Sequence, residues 1–257
     1  MTIPIIIQTF NRVEYTIQVI SSIYTHILYP HRVIVIDNCS TDGTVDYLNF
    51  CKQHNFIDHL VLNNENKGIA EPKNQGLEIV KKLAETQEIK YVCITDNDIV
   101  PPFIREKGCA LEHIVNMMDN NQDVGMCGVD LDRANSPTNQ EWWWRLRQHL
   151  QSNPEFAVIS IGFWFSVFRY DDIKDFKFKC DSNYGKVDES VRNYLGLVKK
   201  EKVGILKGVF NGKETISKVG LHLGWREDLE KFPQYVAMKK AERFKSEQAW
   251  KAQNRQW

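Results

Sequence analysis

Apolar and polar residues alternate in blocks along the first half of the chain. Residues 3–10, IPIIIQTF, form a short, continuous, β-branched run. That is the pattern of a strand covered on both faces. Residues 14–26 carry Ile17, Ile20, Ile23 and Tyr24 at helical spacing. The alternation repeats. Strands are predicted at 32–37, 57–63, 89–95 and 124–130, and helices at 42–54, 69–87 and 102–120. Asp42 suits the positive end of the second helix, and Pro72 is tolerable only in the first turn of the third. Strands separated by helices of ten to twenty residues imply βαβ units, hence an α/β fold with a mostly parallel central sheet flanked by helices.

Beyond residue 130 the pattern changes. Residues 139–151 contain Trp142, Trp143 and Trp144 in succession; they cannot all face one core, and a sugar-stacking surface is compatible with them. Residues 156–170 are rich in aromatic and β-branched types and read as a strand or strand pair. A short helix is expected over 187–195 and strands near 203–206 and 219–223, before a polar, helix-forming tail over 227–257. With no linker or repeat, the 257 residues read as one domain, with an N-terminal half over 1–130, an acceptor-side half over 131–226 and the tail.

In open parallel sheets, ligands bind at the carboxyl ends of the strands. Polar residues gather at those ends: Asn11 and Arg12, then Asp37 and Asn38, then Asn64, Asn66 and Lys67, then Asp96 and Asp98. The stretch YVCITDNDIVPP ends an apolar run in two acids one residue apart. If extended, Asp96 and Asp98 point to the same side and can converge on a hard divalent cation. By itself Asp-x-Asp also fits a polar turn. It equally fits a haloacid-dehalogenase-like phosphatase with Asp96 as nucleophile and Asp98 as acid/base, but such a strand usually opens that fold, and here three βα units precede it.

Charge and cysteine content narrow the class. Lys and Arg total 33 and Asp and Glu total 33, so no basic field exists to collect nucleic acid. Six cysteines without a C-x-x-C pair suggest a reducing compartment. No apolar stretch approaches the roughly 18–20 residues that cross a bilayer, and the N-terminus lacks a signal-peptide pattern. The expectation is a soluble cytoplasmic protein; the aromatic residues of the tail pack on the domain or contact a membrane peripherally.

The segments IIIQTFNR, VIVIDNCSTDGT, NKGIAEPKNQGL and YVCITDNDIVPP occur in order over the first hundred residues. Together the series resembles the GT-A fold glycosyltransferases of the family-2 group, which use nucleotide-diphospho-sugars. The resemblance implies a donor, a UDP-sugar first among them, with Mn2+ or Mg2+, and a glycan or glycoconjugate hydroxyl as acceptor. It implies that residues 8–12, with Thr9, Asn11 and Arg12, wrap the nucleotide, and that Asp37 bonds its base or ribose. Lys67 and Gly68 open the next nucleotide-side loop, and Asn97 lies between the metal-site acids Asp96 and Asp98. Asn38 stands where the family often has Asp, and Lys73-Asn74 where it has Arg-Asn. Asp188 aligns with the family's base, Glu189 is the fallback, and Val187 replaces an acid. Gly162, Phe163 and Trp164 match a segment whose small residue lets the donor sugar approach. His222 corresponds to a late metal-ligating histidine. The bland readings stand beside these: Asp37, Asn38 and Asp188 as turn or helix caps, Lys67 and Lys73 as surface charges, Phe163, Trp164 and His222 as core residues. The departures at 38, 73 and 187 also admit a non-catalytic nucleotide-sugar-binding protein.

Overall fold

A computed structural model describes residues 1–104, 108–131, 156–158, 162–180, 187–206 and 219–223. The alternation expected of the first half is present: β1 Ile3–Thr9, α1 Val13–His26, β2 His31–Asp37, α2 Thr44–Gln53, β3 His59–Leu62, α3 Ala70–Ala84 and β4 Tyr91–Asp96. There follow β5 Ile99–Val100, α4 Ala110–Asn120, β6 Val124–Leu131, β7 Phe156–Val158, β8 Ser166–Arg169 and α5 Tyr170–Ile173. The rest comprises α6 Val187–Asn193, a π-helix Tyr194–Lys199, β9 Lys202–Leu206 and β10 Val219–His222.

The strands run in the order β3-β2-β1-β4-β8-β6-β10-β5, with β9 beside β6 and β7 beside β9. The block β3-β2-β1-β4 is parallel throughout, as are the β6–β9 and β6–β10 pairings. β8 enters antiparallel between β4 and β6, so a strand from the second half closes the gap in the sheet of the first.

Why the strands read as unbroken apolar runs is clear from their two faces. Ile3, Ile5 and Ile7 pack with Val19 and Ile23 of α1, Leu48 of α2 and Leu111 and Ile114 of α4. Ile6 points the other way, into a second core with Leu77 and Val80 of α3 and Val187, Val191 and Leu195. Period-two alternation thus feeds two buried layers.

Two of the boundaries that depart from the sequence expectation have a plain local cause. α4 begins at Ala110 rather than near residue 102, because Gly108 stands at φ +96, outside helical space. α2 begins at Thr44, and Asp42 lies before it, accepting from the Thr44 N–H and, through its other oxygen, from Val13 at the start of α1. One acid therefore caps two helices.

Candidate active site

Three strands end level with one another. Gln8 pairs with Asp96 across β1 and β4, and Thr9 with Asp37 across β1 and β2. This places the sequence's polar clusters on one carboxyl edge, the ligand-binding edge of such sheets.

Asp37 is fully buried. Its Oδ1 accepts from Thr9 Oγ1 at 2.9 Å and from Ser40 Oγ, and its Oδ2 accepts from the Ser40 N–H at 2.9 Å. Ser40 Oγ in turn accepts from the Asn11 N–H at 2.7 Å, and Asn11 Oδ1 accepts from the Thr41 N–H at 2.8 Å. Both Asp37 oxygens are thereby used in lacing the β1 and β2 loops together. Asn11 and Arg12 take left-handed backbone, φ 54 and φ 61. Such backbone is uncommon for non-glycine residues, and functional sites are where it concentrates.

Asn38 explains its own departure from the family pattern. Its amide donates to Asn66 Oδ1 at 2.8 Å and to the Gly68 carbonyl at 3.0 Å, while its oxygen accepts from the Lys67 N–H at 2.9 Å. An aspartate has no donor for the first two bonds. Asn38 fixes the 66–68 loop, Gly68 supplying the positive φ of 75. The Lys67 side chain is exposed.

Asp96 closes β4 with its side chain 42% exposed. Asn97 and Asp98 form a turn, so the extended geometry expected for the pair is absent. Each acid instead meets a separate cation. Asp96 Oδ1 lies 3.0 Å from Lys73 Nζ, and Asp98 Oδ2 lies 3.1 Å from Arg12 Nη1. Asn97 turns inward, its Nδ2 donating to the Asn11 carbonyl and Thr16 Oγ1, both at 3.0 Å. It braces the left-handed turn at Asn11 rather than facing the edge. Asn74 is also spent elsewhere: its amide accepts from the Phe178 N–H at 2.9 Å and donates to the Phe178 carbonyl at 3.1 Å.

Lys73 reaches the edge from α3 and is not a surface charge, being fully buried. Its Nζ donates to Gln8 Oε1 at 2.6 Å and lies 4.5 Å from the centre of the Phe163 ring. Phe163 belongs to the segment leading into β8 and packs on Phe168 and Phe178. Beside it, a Cβ on Gly162 would stand 3.5 Å from Asp188 Oδ2 and 3.0 Å from Trp164 Nε1. Asp188 thus adjoins the Gly162–Trp164 wall. It lies in the first turn of α6, with Oδ2 2.9 Å from Arg192 Nη1 and Oδ1 accepting from the Glu189 N–H. The Glu189 side chain is exposed.

Arg12, Val13, Glu14, Tyr15 and Asp42 line a surface pocket of about 240 Å³. Burial alone would raise the Asp42 carboxyl, but hydrogen bonds from Thr44 and Val13 outweigh it and hold the group below the usual carboxylate range.

His222 is brought to this edge at the level of the backbone. It pairs with Ile99, and the next residue, Leu223, donates its N–H to the Asp98 carbonyl at 2.8 Å. Trp142, Trp143, Trp144 and the tail over 227–257 lie outside the described residues. Among the described residues, no group of three or more His, Cys, Asp or Glu side chains is placed to hold a metal ion. Asp96 and Asp98 offer hard carboxylate oxygens, the donor type that magnesium and manganese take.

The fold is of the GT-A type, with the polar cluster on the carboxyl edge of its sheet. The chain belongs to glycosyl transferase family 2, whose model matches residues 5–176. A putative teichuronic acid biosynthesis glycosyltransferase of Bacillus subtilis, TuaG, is 32% identical over 100 residues, 37% of this chain and 35% of that protein. An uncharacterized glycosyltransferase of Rickettsia bellii is 31% identical over 96 residues, 37% of this chain and 13% of that protein. The matched stretch therefore spans about a third or less of these relatives. Among solved structures, a mannosyltransferase of Pyrobaculum calidifontis in complex with GDP-Man and Mn2+ superposes with a TM-score of 0.59 at 18% identity, over 83% of this chain and 58% of that one. S. aureus TarS 1-349 in complex with UDP superposes with a TM-score of 0.57 at 14% identity, over 86% and 60%.

Proposed function

We propose that the protein moves a sugar from a nucleotide-diphospho-sugar to a hydroxyl of a glycan or glycoconjugate, with inversion and with help from Mn2+ or Mg2+. The observation that carries this reading is the meeting of Asp96 and Asp98 with the Asp37–Asn38 and 66–68 loops on one sheet edge, in a family-2 chain. Residues 8–12 and the 37–41 and 66–68 loops present backbone and side-chain groups to a nucleotide, and Asp96 and Asp98 supply oxygens to a cation bound with its diphosphate. That cation, when bound, neutralises charge on the departing nucleoside diphosphate. Asp188 takes the acceptor proton, Arg192 holding its carboxylate in place. His222, paired through its backbone with Ile99, would add a further metal ligand.

Solved neighbours holding GDP-Man with Mn2+, UDP and UDP-GlcNAc favour a nucleotide-sugar donor of this kind, UDP-linked first. We read the 257 residues as one domain; what supports this is β8, which completes the sheet of the first half. No helix among the described residues is long and apolar enough to cross a membrane; we place the protein in the cytoplasm, without nucleic-acid partners. The phosphatase alternative has no support from the family match. The non-catalytic one loses force because the departures at 38 and 73 carry bonding roles of their own.

Asp98→Ala is the direct test. Calorimetry with UDP and Mn2+ should show nucleotide affinity that no longer responds to metal, with the melting temperature retained. Unchanged metal-dependent affinity would sink the assignment of Asp98 as a ligand.

A further inference from the structure

Asn63 follows the last residue of β3, and Gln75 lies in the second turn of α3. Their side chains pair reciprocally. Asn63 Nδ2 donates to Gln75 Oε1 at 2.9 Å, and Gln75 Nε2 donates to Asn63 Oδ1 at 3.0 Å. Asn63 is buried and Gln75 half-buried. The Asn63 backbone N–H donates to the Asp37 carbonyl at 2.9 Å, one bond beyond the β2–β3 ladder. The backbone is thus set, and the pairing with Gln75 fixes the side-chain amide. It leaves Asn63 Nδ2 directed at Asn38 Oδ1 as well, 3.4 Å away. That same Asn38 oxygen accepts from the Lys67 N–H, while Asn38 Nδ2 holds Asn66 and Gly68. One polarity alone satisfies this chain of amides. Turning the Asn38 amide over would set its NH2 against the donors of Lys67 and Asn63, and its oxygen against Asn66 Oδ1 and the Gly68 carbonyl.

From this we infer that Asn63 and Gln75 are positioning residues for the nucleotide-side loop 66–68: they hold Asn38 in the orientation that shapes the loop, and so set donor affinity without touching the donor. The inference rests on the nucleotide-sugar reading above and adds to it the residues that prepare this loop. A loop already held in its binding shape loses less freedom when the ligand arrives, so affinity depends on the hold. The pairing needs a carboxamide on both sides, because each partner must donate once and accept once. A carboxylate at position 75 offers acceptors alone. The Asn63 oxygen then faces a carboxylate oxygen whichever way its amide is turned, and when turned it faces Asn38 Oδ1 too. Either way the relay breaks. The Lys67 N–H loses a fixed acceptor, and the left-handed turn at Gly68, φ 75, loses the hold of Asn38.

The experiment joins hydrogen exchange at the Lys67 and Gly68 amides with calorimetric binding of UDP and of GDP in the presence of Mn2+. It uses the whole chain, Gln75→Glu, Asn38→Ala and the double variant. Gln75→Glu should speed exchange at the two amides by at least about tenfold. It should weaken binding of the nucleotide that wild type takes by roughly three- to tenfold, the size of one hydrogen bond. On the Asn38→Ala background the loop has already lost its hold, so the same substitution should change affinity by less than about twofold. If Gln75→Glu fails to fold, Gln75→Leu carries the same expectation. Equal losses of affinity on both backgrounds would mean that Gln75 acts by another route, and would overturn the inference. So would unchanged exchange, or unchanged affinity beside faster exchange. Wild type that binds neither UDP nor GDP would overturn the nucleotide-sugar reading, and this inference with it.

Discussion

At the scale of single residues, most polar side chains of the edge have protein partners, and these sort the cluster into scaffold and surface. Asp37, Asn38 and Asn97 are buried and bonded within the loops. They shape the edge by fixing backbone. Asp96 keeps a side chain two-fifths exposed, and Asp188 one about a quarter exposed, so these can meet substrate. Asp188→Asn keeps the size of the side chain and removes its capacity as a base. Transfer to an acceptor should fall by roughly 10²–10⁴-fold, the usual contribution of a general base, with donor affinity near wild type. Steady-state rates set beside UDP-sugar binding would show the split, and full transfer by the variant would discard Asp188 as base.

At the scale of elements, the close approach of α3 to β1 governs how Lys73 reaches the edge. Gly76 makes it possible. A Cβ there would lie 2.5 Å from Cγ2 of Ile6, a fully buried, β-branched side chain with no room to turn away. Gly76→Ala should gain about 1 kcal/mol of helix propensity and lose about 1–3 kcal/mol to overpacking, a net destabilisation. Urea unfolding should show a lower midpoint with an unchanged slope; a higher midpoint would mean that the helix retreats without cost. The glycine of the NQG segment was legible as a motif, but its reason is the packing distance between two elements 70 residues apart, which no local pattern carries.

At the scale of the whole molecule, the far side of the sheet carries a pH-sensitive joint. Asp172 Oδ2 and Glu201 Oε2 are both buried. Burial, reinforced by the neighbouring Asp172 carboxylate and only partly opposed by Arg169 and Lys199, pushes Glu201 up to about 7. The folded chain therefore keeps a proton that the unfolded chain, at an ordinary 4.5, has released. Stability falls as pH rises from 4.5 towards 7 and stays at the lower value above that. Because the group is partly solvated, the effect is modest. Glu201→Gln should raise the melting temperature by about 2 °C at pH 8 and by less at pH 5. Melting curves at the two pH values would check this, and an equal shift at both would reject it.

The sequence by itself determined the α/β class, the order of the first seven elements and the edge on which the polar residues collect. It could do so because strands buried on both faces must read as continuous apolar runs, and helices between them must show one apolar stripe. It also supplied the candidate acids, since Asp96, Asp98 and Asp188 fall in short ordered motifs. Only the tertiary structure decided how those residues are used. The turn at Asn97 divides the two acids between Lys73 and Arg12, partners 23 and 86 residues away along the chain. Asn74 and Asn97 leave the edge for the same kind of reason, because their bonding groups are met first by Phe178, Asn11 and Thr16. Hydrogen bonds and ion pairs between distant segments depend on register and on how closely helix and strand approach, and those distances exist only once the sheet has formed.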